Sequence, residues 1–103
     1  MTEAAVIQQL THLAFSENVG TRFLVSLPSG EQTTATILQV SENNVSPLQE
    51  QFSVVFRGPL DSFLPQGMHK LTHRKLGSFD LFLVPIGRDS EGYSYEAVFN
   101  RAR

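Results

Sequence analysis

The stretch Gln51-Phe52-Ser53-Val54-Val55-Phe56-Arg57 carries an apolar side chain at every second position, with Phe52, Val54 and Phe56 in phase. A period of two lines those three up on one face of an extended strand, whereas a helix would scatter them. Working outward, the same period returns in Thr21–Leu27, where Phe23, Val25 and Leu27 face one way. It returns again in Tyr93–Asn100, with Tyr93, Tyr95, Ala97 and Phe99 on one face. Gln32–Val40 is rich in Thr and β-branched residues, but its phase slips between Ala35/Ile37 and Leu38/Val40. A β-bulge near Ile37 reconciles the two halves. Met68–His73 reads as a short strand. Ser78–Ile86 is apolar on both faces, as a central strand or one with a second packed surface would be.

Turn chemistry separates these segments. Pro28-Ser29-Gly30-Glu31 predicts a hairpin, Ser41–Glu50 a polar loop around Pro47, and Lys75–Gly77 and Gly87–Gly92 tight turns. Residues 2–14 predict an amphipathic helix, with Thr2 as N-cap and Val6, Leu10 and Leu13 at helical spacing. A shorter helix starting at Thr11 is the alternative reading, and Gly20 is expected to end the helical region as a C′ glycine. The fold class is mostly β: a small antiparallel six-stranded barrel or two-layer sandwich with one N-terminal helix. Short connections predict a meander of neighbouring strands with the helix over an open end. Phe52, Val54, Phe56, Leu81, Leu83, Tyr95, Ala97 and Phe99 are the expected core.

The 103 residues suit a single domain, 1–103. The charged fraction is 17%, low enough to fit an outer face partly covered by a partner or a surface rich in Ser, Thr, Gln and Asn. Eight Phe and no Trp put most aromatic area where no polar atom needs a partner, in a core or a dry interface. With no Cys, disulfides, thiolate nucleophiles and Cys-ligated zinc are excluded. Net charge is −4 over residues 1–50 and +2 over 51–103, too mild an asymmetry for nucleic acid. No apolar run reaches the ~20 residues that span a bilayer, and the first residues lack a basic and apolar leader. A cytoplasmic product is expected, with export by a dedicated machine as the alternative.

The chemistry-bearing residues are sparse. His69 and His73 share a strand face but lie about 13 Å apart, too far to hold one ion, so neither metal nor cofactor is expected. His73, in phase with Leu71, reads as an inward histidine with a hydrogen-bond partner. Asp89 and Glu91 in one turn fall short of a calcium loop. No Ser-His-acid set, Gly-x-Ser-x-Gly elbow or Gly-rich phosphate loop is readable, so no enzyme is expected. Lys70, Arg74 and Lys75 form the basic cluster, suited to an acidic partner or simply to solvation. Most informative is Arg57–Gly67, a connection bracketed by Pro59 and Pro65 that nevertheless carries Leu60, Phe63 and Leu64. Those residues either tuck under the loop or meet a partner, and Arg57 is placed to pair with Asp61 across it.

An ordered set of motifs runs through the second half: Phe52-Ser53, Phe56-Arg57-Gly58-Pro59, Leu64-Pro65-Gln66-Gly67, Leu71, His73, Leu76-Gly77, Phe82-Leu83-Val84-Pro85-Ile86-Gly87 and Tyr95-Glu96-Ala97-Val98-Phe99-Asn100. Phe15, Val19-Gly20 and Phe23 fit upstream. Over about residues 10–100 this set resembles a small bacterial family known only as a domain of unknown function; residues 1–9 lie outside it. The chain departs from that pattern at His69, where Tyr is expected. The resemblance implies no activity. It implies association with phage-tail-collar-like proteins, whose genes often lie beside those of members, and so suggests a structural or assembly role. Two readings follow. One is a non-enzymatic protein-interaction or structural module of a phage-tail-like or secreted bacterial assembly. It would use sheet edges, Leu60, Phe63, Leu64, Lys70, Arg74 and Lys75 toward a protein partner or a second copy. The other is a small-ligand-binding β-barrel with the ligand in its mouth.

Overall fold

The computed structural model describes residues 11–42 and 47–102. Six strands hold most of them: β1 Arg22–Ser26, β2 Gln32–Glu42, β3 Gln49–Gly58, β4 Gly67–His73, β5 Gly77–Asp89 and β6 Gly92–Ala102. A short helix, α1 His12–Ser16, precedes them. All paired strands are antiparallel, and the order β1-β2-β3-β6-β5-β4 returns to β1, so the sheet closes into a barrel. The closing β1–β4 ladder is short, running from Leu24↔Thr72 to Ser26↔Lys70. β5 and β6 pair only near their shared turn, from Val84↔Glu96 to Asp89↔Gly92.

One expectation is corrected here. The strands form two three-stranded meanders, not one, because β3 and β4 lie on opposite sides of the ring. Residues 59–66 therefore cross an end of the barrel instead of turning back beside β3. Short connections usually join neighbours. This one does not: it spans the barrel end and buries the apolar Leu64 there. The end it crosses, the loop end, also holds the β1–β2 and β5–β6 turns. The opposite, helix end holds α1 and the β4–β5 turn.

Alternation fills the interior as the sequence predicts. All eight expected core residues are buried, together with Phe15, Phe23, Val25, Ala35, Ile37, Leu64, Leu71 and Phe79. At the helix end the rings interlock: Phe15 lies 5.3 Å from Phe99, 6.1 Å from Phe52 and 6.3 Å from Phe79. Phe52 and Phe99 stack at 4.6 Å across the β3–β6 ladder. The bulge expected near Ile37 falls between Ile37 and Gln39 and leaves Leu38 outside while Val40 returns to the inner side. A second irregularity between Pro85 and Gly87 accommodates a proline within β5. The two-sided apolarity of β5 resolves into buried Phe79, Leu81 and Leu83 and exposed Phe82 and Ile86.

The helix follows the shorter alternative. Thr11 is its N-cap, its hydroxyl accepting from the Ala14 N–H at 3.3 Å. The rest of the longer helix expected over residues 2–14 falls on residues outside those described. Gly20 is not the C′ residue, since α1 already ends at Ser16 with Glu17 as its cap. Gly20 instead turns the chain into β1 at φ 88°, its N–H donating to the Ile37 carbonyl at 2.8 Å. The polar loop expected over Ser41–Glu50 is shorter than read, because β2 runs on to Glu42 and β3 begins at Gln49.

At the loop end two backbones approach closely. Gly92 has φ 156°, and a Cβ there would overlap the Gly58 carbonyl oxygen. Gly30, also at positive φ (92°), faces open space. Gly30→Ala should therefore cost only the backbone penalty, about 1 kcal/mol, whereas Gly92→Ala should lose about 3 kcal/mol or more. Equal losses in chemical denaturation would rule out the close approach. In the core, Phe56→Ala should cost about 3–5 kcal/mol, and an unchanged melting temperature would refute its inward placement.

Candidate functional site

The crossing segment divides its apolar residues between two tasks. Leu64 turns inward and is 1% exposed, while Leu60 and Phe63 point outward at 40% and 51%. Two polar contacts anchor the turn between them. The Leu64 N–H donates to the Tyr95 hydroxyl at 2.9 Å, deep in the barrel end. The Pro65 carbonyl lies 2.7 Å from His69 Nε2. A carbonyl can only accept, so Nε2 carries the proton in this contact. Burial pushes the Tyr95 phenol above its ordinary range, with the Leu64 hydrogen bond opposing the shift. The phenol is therefore a neutral hydrogen-bonding group at ordinary pH.

Outside the barrel, the Phe63 ring meets Tyr93 edge-on at 5.0 Å, and the Arg88 guanidinium lies over the Tyr93 ring at 5.7 Å. Leu60, Phe63, Tyr93 and Arg88 thus give the loop end a partly apolar, aromatic outer surface. Arg57 does not pair with Asp61. Its guanidinium reaches Glu91 at 2.9 Å and Asp89 at 3.4 Å instead, because the β3–β6 ladder sets Arg57 beside the β5–β6 turn. The Glu91 N–H, against the opposing effect of desolvation and with help from the Gly92 N–H and the nearby Arg57, holds the Asp89 carboxyl below its ordinary range.

Of the basic candidates, Lys70 sits mid-strand opposite Asp80 in the β4–β5 ladder. Arg74 and Lys75 lie at the helix end, across the barrel from Leu60 and Phe63. There they join Asn18, Thr21, Arg22 and His73 in lining a surface cleft of about 530 Å³. His73 is the floor. Its Nδ1 accepts from the Lys75 and Leu76 N–H groups at 3.0 and 3.2 Å, which assigns the proton to Nε2, 2.8 Å from the Thr21 hydroxyl. The Thr21 hydroxyl in turn donates to the Asn18 carbonyl at 2.6 Å. Burial, then the charges of Lys75 and Arg74, lower the His73 pKa, which favours this neutral form.

The six candidates therefore do not make one site. Phe63 gathers with Tyr93 and Arg88, Leu60 is exposed on the same crossing segment, Arg74 and Lys75 gather with Arg22, and Leu64 is a core plug. Sequence reasoning missed Tyr93, Arg88 and Arg22. Tyr93 carried a signal, since it opens a strand that follows a turn and so stands at the barrel rim. Arg22 carried none, because its neighbours across the ring come from β4.

A small closed antiparallel β-barrel plugged at one end by a helix and at the other by a crossing loop defines the class of the molecule. Within that class, the chain belongs to the family described as Domain of unknown function (DUF6916), which matches residues 10–99. Neither the curated proteins nor the solved structures contain a match.

Two tests follow from the hydrogen bonds. Tyr95→Phe leaves the buried Leu64 N–H without an acceptor and should cost about 1–3 kcal/mol in denaturation experiments. A neutral cost would show that the N–H finds another partner. Because His73 titrates below 6.5 when folded, the unfolded chain takes up its proton first. Its contribution to stability is complete above pH 6.5 and should fall as acid carries the pH through the lowered folded value. His73→Gln should remove that part of the pH dependence, and an unchanged profile would dismiss it.

Proposed function

We propose that this domain is a non-enzymatic protein-interaction or structural module that presents Leu60 and Phe63 to a protein partner. The observation that carries the reading is the split of the crossing segment. Leu64, next to Phe63, is locked into the core, so the outward ring is held on Tyr93 with little freedom left to lose on binding. Large aromatic anchors held this way dominate many interfaces. β1 and β4 cover each other's edges, so contacts through sheet edges would fall where β5 over Gly77–Leu83 and β6 beyond Glu96 have no ladder between them. The family resemblance supports a phage-tail-collar-like protein of a bacterial assembly as the partner. Small-ligand binding in the barrel mouth has less support. Leu64 and Tyr95 occupy one end and Phe15 the other.

The test is capture of the phage-tail-collar-like protein encoded beside a family member, co-expressed with the wild-type domain and with two variants. Phe63→Ser should lose capture while keeping its melting temperature within about two degrees, as a surface change does. Leu64→Ala should lose about 2–4 kcal/mol of stability yet capture normally while folded. Normal capture by Phe63→Ser would remove the loop from function. Concentration-dependent self-association of the domain alone, abolished by Phe63→Ser, would make a second copy the partner.

A further inference from the structure

We infer that the cleft at the helix end, rimmed by Arg22, Arg74 and Lys75, is a second interaction surface, and that it binds a carboxylate-rich peptide segment. It stands apart from the loop-end reading and does not depend on it. Three cations from two distant stretches of chain line the one cleft, and none of its lining residues is acidic. The described ion pairs engage His12 and Arg57, not these three side chains. In a chain of net charge −2, three of the eight Lys and Arg residues thus gather at one cleft. The lowering of the His73 pKa, first by burial and then by Lys75 and Arg74, reports the same positive field.

The state of the floor selects the chemistry. A compact oxyanion such as phosphate is held most tightly where backbone N–H and hydroxyl donors converge on it beside the cations. Here those donors are spent inside the protein. The Lys75 and Leu76 N–H groups go to His73 Nδ1, the Thr21 hydroxyl to the Asn18 carbonyl, and the Asn18 amide to the Ala14 carbonyl at 2.7 Å. What remains for a ligand is long, exposed guanidinium and ammonium groups around a neutral floor. Guanidinium matches a carboxylate in a bidentate fork. Several carboxylates spaced along an extended segment can each reach a different cation, which one small anion cannot do.

The probe is an end-blocked oligoglutamate of about ten residues carrying a fluorophore, followed by anisotropy at about 50 and about 300 mM NaCl. The wild-type domain should bind it at low salt and lose about tenfold or more in affinity at the higher salt. Arg74→Glu/Lys75→Glu, and separately Arg22→Glu/Arg74→Glu, should abolish binding with melting temperatures close to wild type, since all three side chains are exposed. Phe63→Ser, at the opposite end, should bind as wild type does, so failure here and failure of the loop-end reading are distinguishable. Absence of binding at low salt, or equal binding by the charge-reversed variants, would overturn the inference. Tighter binding of inorganic tripolyphosphate than of oligoglutamate would replace it with a phosphate site. Self-association of the domain alone that disappears in the charge-reversed variants would replace it with a contact between copies.

Discussion

The hydrogen bond from the Leu64 N–H to the Tyr95 hydroxyl is the point on which the arrangement of the barrel turns. The chain must pass from β3 to the far side of the ring before β4 can pair with β1 and close it. In crossing, it takes a backbone N–H into an apolar end where no water can serve it, and such a group costs stability unless paired. Tyr95 projects inward from β6, is itself fully buried, and supplies the acceptor. With that bond made, Leu64 can fill the barrel end, Pro65 can offer its carbonyl to His69, and the next residues enter β4 in register. Leu60 and Phe63 stay outside because the segment's depth is fixed at Leu64.

The helix end solves the same problem differently. Phe15 needs no polar partner and closes its end by ring contacts with Phe52, Phe79 and Phe99. The polar groups lie at the rim. On one side His12 faces Glu42 at 3.2 Å and Glu50 at 3.7 Å; on the other, His73, Thr21 and Asn18 form a closed chain of hydrogen bonds beneath Arg22, Arg74 and Lys75. One end therefore carries separated regions of opposite charge, while the other is partly apolar and aromatic.

Most of the strands were legible because their period of two is uninterrupted. Phe52, Val54 and Phe56 announce β3, and Tyr95, Ala97 and Phe99 announce β6, with no other element able to satisfy that spacing. Even the bulge after Ile37 was readable, since a shift of phase has few other causes. The ring order was not. Nothing local in β3 or β4 says that they lie on opposite sides, because pairing is decided by which faces can be buried together. The same limit applies to the surfaces. Leu60, Phe63, Arg74 and Lys75 were visible as unusual residues, but Arg22 joins Arg74 only through the β1–β4 closure. The partner of Arg57 is hidden from the sequence for a related reason. Asp61 is near in sequence, whereas Asp89 and Glu91 are near through the β3–β6 and β5–β6 ladders.

These constraints also bear on where recognition can reside. A barrel whose interior is filled by Phe rings, with Leu64 at one end and Phe15 at the other, has its adaptable chemistry at the rims and on the outer faces of its strands. The two rims differ in kind. Binding through Phe63 and Leu60 would rest on apolar area and be largely insensitive to salt, whereas binding through Arg22, Arg74 and Lys75 would weaken as counterions screen it. Because the two proposed surfaces lie at opposite ends, a partner at one would not block a partner at the other. With both surfaces occupied as proposed, the barrel between them would act as a spacer as well as a contact.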